Sequence, residues 1–366
     1  MATRLRVVWP AVVAICVAAA YAGWRLSLAG WDPIGLADVG TRYSEVAPGG
    51  TEGYDGQFAL SIALDLNPST VAPHLDVPAY RYQRILYPLL ARALGLGSPT
   101  AIPWTLLFIN LAAQGIGAWT LATILHERGE RPGYAIVYAL WVGLVASAGL
   151  DLNEPLAFAC IVAGWLALGR GRFGWAALWM TASLFAKETS LVFWLAGLAG
   201  AWLAAGGRRR KLLPWLLGAC AYSGWQVWLW LTFGSSGITT GGAMATAFEW
   251  IPFMGLWRVG MVSWRALALY TVIFGPTIVM PSIWGLWMWL RDMVRRLPSA
   301  DVWALGLSGS MIAILPFSTF REPLGLLRVA TGLVLAVLLY ASRQHDRRAL
   351  NYSLFWSVLL LVLLKP

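Results

Sequence analysis

Charge is what this sequence has least of. Asp, Glu, Lys and Arg make up 12% of its 366 residues, about half the share of ordinary soluble domains. That excludes a conventional water-soluble fold and any domain count based on soluble chain length. Cysteine is scarce too. Cys16, Cys160 and Cys220 each lie inside an apolar run, which leaves neither a disulfide framework nor a paired-cysteine metal spacing. There is no glycine-rich nucleotide loop, no His-Glu-x-x-His and no serine elbow, so the common signatures of nucleotide, zinc-protease and hydrolase chemistry are missing. No repeat of 20–50 residues, low-complexity tract or separate soluble domain occurs. A phosphate or sugar donor would therefore have to arrive through the membrane.

What is present is apolar. Hydrophobic residues make up 59% of the chain, mean hydropathy is +0.65, and there are 23 tryptophans, a residue that anchors spans at the interface. A span needs about 20 apolar residues. Eleven stretches qualify, some of them short: 7–28, 100–125, 134–150, 154–169, 173–187, 190–206, 212–233, 264–290, 302–318, 323–341 and 351–364. The expected fold is all-α: a polytopic membrane protein of about eleven transmembrane helices, forming one transmembrane domain over 1–366. The run after Arg6 is too long for a signal peptide and lacks a clear small-residue cleavage site, so it reads as a retained first span.

The net charge of +10 points to topology and not to nucleic acid. With the N-terminus in the cytoplasm, alternation puts six basic clusters on one side. They are Arg4 and Arg6; Arg128 and Arg131; Arg170 and Arg172; Arg208 to Lys211; Arg291, Arg295 and Arg296; and Arg343, Arg347 and Arg348. This is the positive-inside pattern.

The opposite side carries polar corners of mixed charge. The first outer loop, about 29–99, holds Gly53-Tyr54-Asp55-Gly56-Gln57-Phe58, then His74 and Asp76, then Tyr80-Arg81-Tyr82-Gln83-Arg84 up to Pro88. Two short helices lying on the membrane are expected in it, Tyr54 to Leu66 and Pro78 to Leu94. Later corners bring Asp151, Asn153 and Glu154; Lys187 and Glu188; the Gly- and Ser-rich stretch 234–242; and Arg321 and Glu322, with Arg328 two turns on.

Each group has two readings. Asp55 is either a general base whose pKa is tuned at the lip of a partly dry cavity or the N-cap of a surface helix. Gly56 beside it permits close approach of a substrate. Arg81 and Arg84, three apart, share a helix face. They either hold a phosphate or snorkel. His74 and Asp76 either bind a metal or lie in a solvated loop. Asp151 and Glu154 either face the cavity together, taking a metal or sugar hydroxyls, or sit in a capped corner, with Asp151 or Asn153 capping the helix that follows. Lys187 and Glu188 pair with each other or across the cavity. Arg321 and Arg328, seven apart, lie on one helix face, about 10 Å apart along its axis. Arg328, at membrane depth, requires an anion.

The runs Tyr54–Phe58 and Pro78–Pro88, with Lys187-Glu188-Thr189 and Arg321-Glu322-Pro323, resemble a family of bacterial polytopic proteins linked to cell-surface glycopolymer formation. More broadly, the layout is similar to the GT-C superfamily of glycosyltransferases. The resemblance implies an inner-membrane enzyme with a long first periplasmic loop carrying two surface helices. Its donor would be a polyprenyl-phosphate-linked sugar and its acceptor a glycan or lipid, within the membrane lipid and without nucleic acid. It implies Asp55 as catalytic base and direct, inverting attack. Substrate-binding candidates are Tyr54, Gln57, Arg81, Arg84, Asp151, Glu154, Lys187, Glu188, Arg321, Glu322 and Arg328. Many members carry a second acidic residue beside the first; here Gly56 stands in that place, which bears on whether the loop holds a divalent metal. Two other functions fit the same pattern: a transporter or flippase of lipid-linked glycan precursors, and a non-catalytic subunit of glycopolymer assembly.

Overall fold

The computed structural model describes residues 2–206 and 209–364. Arg208, one member of the fourth basic cluster, lies outside them. All regular structure among the described residues is helical. Five helices are long and apolar enough to cross a membrane, the make-up of a membrane-embedded protein.

The first long helix is α1 (Ala2–Leu28). The first outer loop follows, with α2 (Gly56–Leu64), α3 (Pro78–Tyr82) and α4 (Leu86–Leu94). Next come α5 (Ile102–Glu127), α6 (Ile136–Ala139) and α7 (Val142–Ala148). Then α8 (Glu154–Gly169), α9 (Phe173–Ala186), α10 (Leu191–Ala205) and α11 (Leu213–Phe233) run back and forth. The last part holds α12 (Met254–Val262), α13 (Trp264–Phe274), α14 (Met280–Val294), α15 (Ala300–Ala313), α16 (Phe317–Arg321), α17 (Pro323–Arg343) and α18 (Arg347–Leu354). At the centre is α17, with 78% of its apolar window buried, against 28% for α1 at the periphery.

Four expectations change. The stretch 134–150 is not one helix. The chain turns extended at Trp141 (φ −63°, ψ 120°), where the indole Nε1 donates to the Leu327 carbonyl at 2.9 Å. A Cβ on Gly143 would lie 2.3 Å from that same oxygen, so glycine is what lets α7 touch α17. The stretch 302–318 also breaks. Helix α15 stops at Ala313, Pro316 cannot continue it, and α16 is a separate short piece. Third, α2 does not lie on a surface. Phe58 and Ile62 enter one apolar cluster with Leu75 and Tyr82, while Ala59, Leu60 and Ala63 enter another with Tyr87 and Leu106. Apolar residues around more than one stripe bury both faces. Fourth, Pro78 to Leu94 splits into α3 and α4. Pro88 has no N–H to give the Arg84 carbonyl, so a continuous helix would lose that bond; Asn153 Nδ2 reaches the carbonyl instead, at 3.5 Å.

The helices have distinct ends. Arg128, Trp165 and Arg343 all donate to the buried Asp301 carboxylate, and Arg291 meets Asp292 beside Tyr340. These basic ends gather at one pole. The starts of α8 and α17 lie at the other, where the mixed polar corners meet.

Candidate functional site

A cavity of about 1240 Å³ opens at that second pole, larger than the usual ligand pocket of about 300–1,000 Å³. One side is charged, with Asp55, Arg81, Lys187 and Glu188 in its wall. Another is apolar, with Leu191, Leu195, Leu307 and Met311. Leu191 and Leu195 are exposed.

Asp55 occupies the N-cap position of α2, but its side chain makes no capping bond. Its carboxylate turns instead to two arginines. Arg81 Nη1 lies 2.9 Å from Oδ1, and Arg328 Nη1 lies 3.0 Å from Oδ2. The approach depends on Gly56, because a Cβ there would sit 2.2 Å from the Leu150 carbonyl. The space over Gly56 therefore belongs to the Leu150 corner. The expectation that it admits a substrate is wrong.

The contacts continue in both directions. Arg81 donates Nε and Nη2 to Asp76 at 2.6 and 2.8 Å, with its guanidinium 4.1 Å over the Phe58 ring. Arg328 donates Nε to Glu154 Oε1 at 2.5 Å, and Lys187 Nζ reaches the same oxygen at 2.5 Å. The result is a row of alternating sign: Asp76, Arg81, Asp55, Arg328, Glu154, Lys187. Beside it, Arg84 grips Glu188 through two bonds, 2.7 and 2.6 Å, and also meets the Tyr80 hydroxyl. Four cations thus face four carboxylates in a largely buried wall, where an unpaired charge would be very costly.

One number singles out Asp55. Its side chain is 30% exposed, against 20% for Glu188, 6% for Asp76 and 0% for Glu154. Within the network it is the carboxylate most open to the cavity. Burial pushes its pKa up, but Arg81, Arg328 and Arg84 outweigh burial and hold it below the usual carboxylate range. The group is ionised at neutral pH.

No family model, curated protein or solved structure matches this chain. The reading of the site therefore rests on its chemistry.

The remaining sequence candidates fall into three sets. Tyr54, Glu322 and Arg321 line the cavity with Asp55; the Tyr54 hydroxyl donates to Glu322 and accepts from Arg328 Nη1 at 3.0 Å. Gln57 reaches the wall, but its amide is used on the backbone: Nε2 donates to the Glu52 carbonyl and Oε1 accepts from Gly40 N–H. Asp151 lies off the cavity. It is fully buried, and neither oxygen has a protein partner. Asp151 and Glu154 therefore do not face the cavity together, and neither Asp151 nor Asn153 makes a capping bond. Nor do Arg321 and Arg328 share a helix face. Glu322 is extended and Pro323 starts a new helix, so Arg321 ends α16 and Arg328 belongs to α17. Arg321 is exposed, and has no carboxylate partner among the described residues.

His74 gives its ring to the Tyr43 carbonyl while Asp76 takes Arg81, so the two do not form a ligand pair. Among the described residues no group of three or more His, Cys, Asp or Glu side chains comes together as a metal site. Sequence reasoning missed three features: Asp76 as the second acid on Arg81, Tyr80 beside Arg84, and the segment 237–248 across the cavity mouth. No helical spacing rule signals the Asp76–Arg81 pair, because Asp76 precedes the helix that begins at Pro78.

Proposed function

We propose that this protein is a membrane glycosyltransferase of GT-C type. It transfers a sugar from a polyprenyl-phosphate donor to a glycan or lipid acceptor on the outer face of a bacterial inner membrane. On this reading the eleven apolar stretches are the spans, two of them broken at Trp141 and Pro316, the N-terminus is cytoplasmic and the cavity is periplasmic. The observation that carries the proposal is Asp55: an accessible, ionised carboxylate in a cavity with a charged wall on one side and an apolar wall on the other. A lipid-linked phosphate has those two halves.

The geometry suggests how the parts work. A carboxylate held by two arginines is a weak base. A donor phosphate entering beside it competes for those guanidiniums, which suit phosphate as well as carboxylate. As Arg328 turns to the phosphate while Arg81 stays fixed on Asp76, Asp55 regains part of its basicity. It then takes the proton of the acceptor hydroxyl while that oxygen attacks the anomeric carbon, and the bond to the phosphate oxygen breaks. Direct displacement inverts the anomeric centre. Arg321, with no carboxylate partner among the described residues, meets the charge that develops on the leaving phosphate, the kind of fixed electrostatic stabilisation that usually dominates such reactions.

The test is Asp55→Asn, purified and reconstituted with polyprenyl-phosphate sugars. Transfer should fall by about 10²–10⁴-fold while the thermal unfolding profile stays cooperative. Wild-type rates from the variant would end the proposal. Movement of labelled lipid-linked sugar across vesicles without a new glycosidic bond would favour a transporter.

A further inference from the structure

The segment between α11 and α12 forms a strap over the cavity. Twelve consecutive residues, Gly237 to Phe248, line it, with no helix and no charged side chain among them. The strap is fastened at three points. Ile238 N–H donates to Gln226 Oε1 at 3.2 Å. Thr246 and Ser318 exchange backbone-to-hydroxyl bonds, 3.1 Å each way. Between these, Ala243 N–H donates to Asp76 Oδ2 at 3.1 Å. Two glycines fit the strap onto the first outer loop. A Cβ on Gly237 would lie 2.6 Å from Gln83, and one on Gly242 would lie 3.3 Å from both Arg81 Nη2 and Asp76 Oδ2.

We infer that Asp76 is a positioning residue that links the seating of this strap to the Asp55 carboxylate through Arg81. The carboxylate of Asp76 takes four donors: Arg81 Nε and Nη2, Val77 N–H and Ala243 N–H. By occupying one edge of the Arg81 fork it leaves Nη1 as the remaining arm, and that arm holds Asp55 at 2.9 Å. A planar guanidinium fixed along one edge has no freedom to turn about the other. When the strap lies down, its N–H completes the shell of Asp76, Arg81 is locked, and Asp55 is aimed. When it lifts, as it must for a large substrate to enter, that constraint relaxes. The catalytic consequence rests on the glycosyltransferase reading. The mechanical link does not.

Coupling of this kind is reciprocal, so it can be read without activity. Hydrogen–deuterium exchange of the peptide covering 237–248 should quicken in Asp76→Asn, by about three- to tenfold, the scale of one net hydrogen bond. It should quicken also in Asp55→Asn, which touches no strap residue, and stay unchanged in Arg170→Gln at the opposite pole. In transfer assays Asp76→Asn should lower kcat on the order of 10- to 100-fold, as misplacement of a reacting group does, with donor KM within about twofold. Ala243→Pro removes the strap's N–H while leaving Asp76 intact. It should lower kcat in the same sense, and the two changes together should cost no more than Asp76→Asn alone. Strap exchange that ignores Asp55→Asn overturns the link. So does a normal kcat in both Asp76→Asn and Ala243→Pro. A wild-type chain that transfers no sugar while the exchange pattern holds would sink the transferase reading and leave the strap link standing.

Discussion

Glu154 is the most consequential single side chain for stability. It is fully buried, and one of its oxygens serves both Lys187 and Arg328 at 2.5 Å. Glu154→Gln keeps the shape and removes the charge. Arg328 retains Asp55 at 3.0 Å, but Lys187, 5% exposed, is left with no carboxylate in ion-pair range among the described residues. Breaking a buried pair from one side costs about 3–5 kcal/mol, because the other charge stays buried and uncompensated. Lys187→Met is the milder change: Glu154 keeps Arg328, and the loss is one charge-assisted hydrogen bond, about 1.5–3 kcal/mol. Combining the two removes the stranded ammonium, so the double variant should be more stable than Glu154→Gln alone. Thermal unfolding in detergent, followed by tryptophan fluorescence, ranks the four proteins. The reasoning fails if Glu154→Gln melts with the wild type, or if adding Lys187→Met lowers its melting temperature further.

Other consequences can be checked in the same preparations. Arg321 is exposed and has no carboxylate partner among the described residues, so Arg321→Gln should leave the melting temperature within a degree while raising donor KM about tenfold, the worth of one charge-assisted hydrogen bond; an unchanged KM removes it from phosphate binding. Gly56→Ala forces a methyl within 2.2 Å of the Leu150 carbonyl, which should cost about 1–3 kcal/mol as overpacking does and depress transfer by shifting Asp55; an unshifted melt refutes the close approach. Asp76, like Asp55, is pushed up by burial but held below the usual carboxylate range by its bonds from Arg81. A depressed carboxyl adds stability above its unfolded pKa, near 3.9, and loses it as pH falls toward the lower folded value. The melting temperature should thus be flat from about pH 8 to 5 and drop below about pH 4, less steeply in Asp76→Asn; a decline already present at pH 6 contradicts this.

Helix content and most residues of the charged wall, Asp76 and Tyr80 excepted, were legible from the chain because each depends on one local property. Long apolar runs make helices, and Arg328 in a span demands an anion. Which anion was not legible. Glu154 and Asp55 are 174 and 273 residues away from it, and no spacing rule reaches that far. Where local periodicity was extended too far, a specific residue broke it. Pro323 separated Arg321 from Arg328, Pro88 divided the second loop helix, and Trp141 turned the chain to reach a carbonyl on another helix. The Asp151 corner misled for a different reason. Acidic residues before a proline look alike whether they cap, bind or are buried, and only packing separates Glu154, which found two cations, from Asp151, which found none.

The alternating row also constrains how the chain is assembled. Asp55 and Arg81 emerge early, Glu154 and Lys187 in the middle, and each couple can satisfy itself as it leaves the ribosome. Arg328 trails Asp55 by 273 positions, roughly 15–55 s of synthesis at 5–20 residues per second. Before it arrives, Arg84 on Glu188 already ties the early loop to the middle of the chain. The late arginine completes the row by joining Asp55 to Glu154, so the wall closes only after that codon is read.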